Sequence, residues 1–394
     1  MMNIIKFAGF LAVFLFLLFG SHYLLYSSII RFFEISGPGA RKTILGIMGF
    51  LAISFFLSAF LLRFHVNIIS SLLYYISCLW LGLFLHLLMA LVVIWLVLGV
   101  GKLFGSMPDM RMIAIAVFMV AAAISIYGLW QAHNPVLKHV EVEIKGLPDH
   151  WRNKTIIHLS DLHLGTINRT GFMQRVAAKV NSVDPDLILI TGDLFDGMGG
   201  DLFSFVEPLK TLKASEGIFF VTGNHESYLG LKEPLSVLKE TDIRVLDDEI
   251  VELDALQIVG VSFPEHGREN SVRRLLTQSG SFDAGKPNIL LYHTPTNIAE
   301  SSTDRGSQQT KTYWYPDTTM GLAKEVGIDL QLSGHTHQGQ LFPFGWLTRA
   351  IYKGYDYGLH KDGGFQVYVT SGVGTWGPPM RTGGSSEIVV IKLR

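Results

Sequence analysis

Predominantly hydrophobic stretches cover residues 7–30, 43–62, 70–100 and 112–130, and none of them carries a charged side chain. Each is long enough for a helix to cross about 30 Å of hydrocarbon, so the pattern predicts four membrane spans. The first run exceeds the apolar core of an ordinary signal peptide and three more spans follow it. From about residue 139 the pattern changes. HVEVEI, TIIHL, DLILI, GIFFV, LQIVGV, NILLY, DLQL, FQVYV and EIVVIKL read as short strands. Several are continuous apolar runs of the kind expected in a sheet covered on both faces. GFMQRVAAKVNSV and KEPLSVLKET read as amphipathic helices between them. The predicted organisation is a four-helix transmembrane region over residues 1–133, a linker and first strand over 134–150, and a layered α/β domain over 151–394.

Charge sharpens that boundary. Residues 1–130 hold seven basic and two acidic side chains, leaving 25 of the 32 basic and 31 of the 33 acidic residues to the remainder. A soluble half with that acidic excess lacks the basic footprint of a nucleic-acid partner. Arg31, Arg41, Lys42, Lys102 and Arg111 fall in the first and third inter-span loops, against Lys6 and Arg63 on the opposite side. The positive-inside rule then predicts a multi-pass protein of the cell or inner membrane with its C-terminal domain on the extracytoplasmic side. Cys78, the single cysteine, lies in a span, so no thiol chemistry is expected. His86, in the third span, reads as a hydrogen-bonding residue facing the bundle.

Polar residues collect where the predicted strands stop. TIIHL leads into Asp161 and His163, DLILI into Asp193 and Asp196, and GIFFV into Asn224, His225 and Glu226. NILLY leads into His293, and DLQL into His335 and His337 of the stretch SGHTHQGQ. Each fragment alone is an ordinary polar turn. Five in order, all beyond strand carboxyl ends, mark a ligand-binding edge of an α/β sheet.

The ordered set D-x-H, G-D-x-x-D, G-N-H-E, H and G-H-x-H resembles the calcineurin-like metallophosphoesterase superfamily, over about residues 150–394. GHTHQGQ and YVTSGVG…MR…SEIVVIKL are similar to its membrane-associated or exported bacterial phosphodiesterase branch with a multi-span N-terminal region. The resemblance implies a two-sheet β sandwich flanked by helices. It also implies two metal ions, the first on Asp161, His163 and His337, the second on Asn224, His293 and His335, with Asp193 bridging. His225 would act on the phosphoryl group and leaving group, with Asp196 orienting its ring. A donor set of oxygen and nitrogen without sulfur suits Mn, Fe or Zn. Two such ions can activate water and stabilise an in-line displacement at phosphorus.

The reading is therefore a membrane-anchored, metal-dependent phosphoric ester hydrolase acting on phosphate mono- or diesters. The alternative is a metal-binding receptor or sensor with a phosphoesterase-like domain. Two aromatic stretches, Tyr313-Trp314-Tyr315 and the FPFGW of residues 342–346, suit a headgroup region and suggest a phospholipid or lipid-linked substrate. Glu226 reads as a helix-start or supporting carboxylate and His158 as a core histidine. Arg381 fits either a substrate phosphate or a structural ion pair.

Overall fold

A computed structural model describes residues 4–105, 109–198, 200–264, 271–299 and 314–394. Tyr313 and most of the polar loop before it lie outside the described residues. The chain forms two compact units, Met1–Trp130 with Gly377–Met380, and Gln131–Trp376 with Arg381–Arg394.

The first unit is built on four helices, α1 (Ile4–Phe32), α2 (Pro38–Phe64), α3 (Ile68–Leu103) and α4 (Met110–His133). All four are long and apolar enough to cross a membrane. They overrun the uncharged cores because their ends accommodate polar groups. Pro38 opens α2, where its missing N–H costs nothing. Asn67 caps α3 by accepting from the Ile69 and Ser70 amides, while Ser70 Oγ accepts from the Asn67 amide. Ser54, Ser58 and Ser77 donate to carbonyls one turn back, which satisfies their hydroxyls in an apolar setting. His86 meets Ser125 of α4 at 2.8 Å, as a bundle-facing histidine should.

The second unit holds two six-stranded sheets. One has the order β1 (Val136–Val142), β12 (Glu387–Leu393), β2 (Thr155–Leu159), β3 (Leu187–Thr191), β4 (Ile218–Val221) and β5 (Ile243–Val245). The other runs β10 (Gly358–Asp362), β11 (Phe365–Val369), β9 (Leu330–Ser333), β8 (Asn288–Tyr292), β7 (Leu256–Val261) and β6 (Glu249–Leu253). β2, β3, β4 and β5 are parallel, as are β7, β8, β9 and β11. β12 runs antiparallel to β2, and β1 runs parallel to β12, so β1 begins at the edge where β2 ends.

Side-chain alternation gives the inner strands two buried faces. Ile156, Leu187, Leu189, Phe219 and Val221 meet Leu256, Ile258, Ile289, Leu291, Leu330 and Leu332 between the sheets. Ile157, Leu159, Ile188, Ile190 and Phe220 turn outward onto the helix Thr170–Asn181 through Phe172, Met173 and Val176. Val259, Leu290 and Val367 do the same on the second sheet, against Leu322 and Ala323 of the helix Gly321–Val326. That double burial explains the continuous apolar runs, and the result is the expected sandwich flanked by helices. β5, β6 and β10 were not among the predicted strands, and the first strand begins at Val136 rather than at residue 139.

Candidate metal centre

The carboxyl ends of β2, β3, β4, β8 and β9 deliver all the predicted site residues to one place. Main-chain hydrogen bonds lace their loops together. The Asp161 amide donates to Gly192 O (3.2 Å), His163 to Asp193 O (3.0 Å), and Gly334 to His293 O (2.8 Å). The backbone is unusual here. Asp161, His163, Asp193, His335 and His337 all have φ between 47° and 72°, the left-handed region that non-glycine residues rarely occupy. Asp193 also sits so close to Gly223 that a Cβ there would overlap its carboxylate.

The donor atoms form two groups that meet at Asp193. His163 Nε2 lies 3.0 Å from His337 Nε2, and His337 Nε2 lies 3.4 Å from Asp161 Oδ1. In the other group Asn224 Oδ1 is 3.1 Å from His293 Nε2 and 3.0 Å from His335 Nδ1, and the two ring nitrogens are 3.2 Å apart. Asp193 Oδ2 faces both, 3.2 Å from His293 Nε2 and 3.8 Å from His163 Nε2. Asp161, His163 and His337 can hold one ion, and Asp193, His293 and His335 another. A third possible set, His163, Asp193 and His225, overlaps both.

The geometry fits divalent cations. Metal–nitrogen bonds of about 2.0–2.1 Å at right-angled to tetrahedral geometry put neighbouring nitrogens about 2.9–3.4 Å apart. The observed pairs fall in that range. Without a cation or a shared proton, imidazole lone pairs would face one another in a buried space.

Electrostatics point the same way. Burial pushes the Asp161 carboxyl up, and nearby Asp193 adds to this against the pull of His293, leaving it at about 6. Burial would also raise Asp193, but His293, His225 and His163 bring it well below the usual carboxylate range. Burial opposes a charged His293, yet Asp193 and Asp161 hold its proton up to about 9. Burial lowers His335 to about 3 and drives His163 and His337 well below the ordinary histidine value. Those three rings are neutral at pH 7, the state a metal ligand requires.

His225 stands beside this cluster, its ring 4.5 Å from that of His163. The Gly197 amide donates to its Nδ1 at 2.9 Å, which leaves the proton of the neutral ring on Nε2. Asp196 Oδ1 is 3.6 Å from the same Nδ1, outside hydrogen-bond distance. Asp196 thus acts on the ring through its field, and the backbone sets the tautomer.

Several supporting groups escaped sequence reasoning or were read only in part. Glu226 is fully buried and accepts from the amides of Gly223 (2.7 Å), Asp193 (3.0 Å) and Phe195 (3.0 Å), tying the β3 and β4 loops together. Its place three residues after Gly223, at a helix start, was the available signal. Thr191 O accepts from His293 Nδ1 at 2.7 Å, which turns Nε2 toward Asp193. His158 is a buried strand residue whose Nε2 meets Thr191 Oγ1 at 2.8 Å, consistent with a core histidine. Arg381 is fully buried and donates to the carbonyls of Ser371 and Gly374, each at 2.6 Å, with His337 Nδ1 3.3 Å away. It braces the final loop and does not present its guanidinium to solvent.

Several known proteins are similar to this chain. The family model for the calcineurin-like phosphoesterase matches residues 154–339. An uncharacterised metallophosphoesterase of Helicobacter pylori is 36% identical over 240 residues, covering 60% of this chain and 59% of that protein. One from Campylobacter jejuni is 32% identical over 289 residues, covering 73% of this chain and 69% of the relative. A Danio rerio protein described as a transmembrane protein with metallophosphoesterase domain is 32% identical over 301 residues, covering 71% and 62%. The match to the first of these relatives thus spans about three fifths of its length.

Proposed function

We infer that this chain, which belongs to the calcineurin-like metallophosphoesterase family, hydrolyses phosphate mono- or diesters as a membrane-anchored enzyme with two divalent cations. The observation that carries the reading is the meeting of two donor groups at one buried carboxylate, Asp193. Asp161, His163 and His337 would hold one ion, Asn224, His293 and His335 the other, and Asp193 would serve both. Bound there, such a pair, of Mn, Fe or Zn, would supply an activated water and charge stabilisation for a phosphoryl oxygen. The remaining chemistry belongs to His225. In the neutral ring that accepts from the Gly197 amide at Nδ1, Nε2–H is free to donate a hydrogen bond to a phosphoryl oxygen. Burial works against the charged ring, but Asp193 and Asp196 outweigh it and hold the pKa above the ordinary value. That charged form, its Nδ1–H turned to Asp196 in place of the Gly197 amide, is the one that gives its Nε2 proton to a departing alkoxide.

The substrate is amphiphilic, a phospholipid or lipid-linked phosphoester, and the catalytic unit lies on the extracytoplasmic side. Two features support the lipid assignment. Only Asn134 and Pro135 separate α4 from β1, and Trp314 and Tyr315 leave large aromatic surfaces exposed. The test is turnover by the purified full chain with Mn²⁺ on a soluble aryl diester, nucleotides and a bilayer-presented lipid phosphoester. Metal-dependent hydrolysis, fastest on the lipid, is expected. Fully loaded protein that cleaves none of them would favour a sensor.

A further inference from the structure

The helix Phe344–Ile351 packs inside out. A surface helix of a soluble domain turns its apolar stripe to the core. Here the small and polar positions do so. Gly345 approaches the turn after His337 so closely that a Cβ on Gly339 would lie 2.5 Å from its Cα. Tyr352, one residue past the helix, is buried with its ring centroid 6.2 Å from that of His335. Thr348, at the helical spacing between them, is half-buried. The outward positions are Phe344 (46% exposed), Trp346 (71%) and Leu347 (49%), with Phe342 (40%) just before the helix.

We propose that this helix is a second membrane contact, seated in the headgroup layer of the bilayer that α1–α4 cross. Three observations favour a lipid surface. First, the charges of the segment itself are basic, with Asp356 close to Arg349 and Asp317 close to Lys353 from outside it. Arg349 in the last turn and Lys353 just beyond it are exposed, and residues 342–353 contain no acid. Apolar side chains beside basic ones are the composition of an interfacial helix on anionic lipid. Second, two residues of tether span at most about 11 Å, so the bilayer is always within reach of the catalytic unit. Third, the tether enters at the correct edge. Because β1 runs antiparallel to β2, Val136 lies at the carboxyl edge of β2, β3 and β4, which is also the edge that carries the metal centre and this helix. Docking would turn the mouth of the centre toward headgroup phosphates.

The proposal rests on α1–α4 spanning the membrane, which flotation of the full chain with vesicles reports separately, and it does not use activity. Full-length protein carrying Cys78→Ser and a single new cysteine, Trp346→Cys or Leu347→Cys, is labelled with an environment-sensitive fluorophore. It is reconstituted in phosphatidylcholine–phosphatidylglycerol vesicles containing nitroxide-labelled lipid. Lys213→Cys, on the exposed loop before β4 at the opposite sheet edge, is the control. We expect a blue shift and at least twofold stronger quenching at 346 and 347 than at 213. Equal quenching at all three sites overturns the proposal. So does a blue shift without lipid quenching, which would mean that another protein or a second copy covers the helix.

Discussion

Asp161, His163, Asp193, His335 and His337 hang from left-handed backbone, each at a cost of order 1–3 kcal/mol, and the surrounding hydrogen bonds must hold that strain. The grip of Glu226 on the Asp193 and Phe195 amides is one such restraint. At this level the sequence disclosed the residue types and not their conformations. D-x-H and G-H-x-H name the donors, while the φ values and the Gly197 amide on His225 arise only when five strand ends converge. For His225, replacement by asparagine is expected to slow cleavage of an alkyl phosphoester by about 10²–10⁴. A nitrophenyl ester, whose leaving group needs no proton, should lose less than tenfold. Equal losses on both would show that His225 does not protonate the leaving group. His293 makes a pH prediction. In the metal-free protein its proton is held up to about 9, and a ligand must shed it. Apparent metal affinity should therefore climb about tenfold per unit from pH 7 to about 9 and then level. Calorimetry in buffers of different ionisation enthalpy should show about one proton released on loading at pH 7. A flat affinity profile with no proton release would contradict the assignment.

Strands announced themselves in proportion to their burial. LILIT and NILLY, covered on both faces, are continuous apolar runs, and both appear where expected as β3 and β8. IRV, EIVEL and GLHKD, which form β5, β6 and β10, lie at sheet edges, are short or polar, and carry no such signal. The helices were legible by the opposite rule, since α1–α4 are apolar all round and only their capped ends were misjudged. The packing of the β3 and β4 loops was not legible at all, and it yields a test. A Cβ at Gly223 would overlap Asp193, so Gly223→Ala must push the two loops apart. We expect lost metal binding with the cooperative melt of the sandwich nearly retained, since neither sheet core is touched. Unchanged metal stoichiometry in this variant would mean the loops are free to separate.

Across the whole chain, the four long apolar helices and the α/β unit carry the charge asymmetry noted in the sequence. Five basic residues flank the first and third turns between the long helices against two at the other ends, and by the positive-inside rule that bias predicts a C-terminus outside the cytoplasm. A C-terminal alkaline phosphatase fusion should then be active and a C-terminal fluorescent protein that matures only in the cytoplasm should be dark. The reverse pair would put the enzyme on cytoplasmic phosphoesters. The central claim, two cations sharing Asp193, is tested most directly by metal content measured alongside turnover in the wild type and in Asp193→Asn. The account predicts two ions per active chain and hydrolysis that appears only as the second site fills. In Asp193→Asn it predicts fewer than two ions and turnover lower by at least about 10³, because a shared charge is lost from both. Full activity with one ion or none, or an Asp193→Asn enzyme that keeps two ions and its rate, would contradict it.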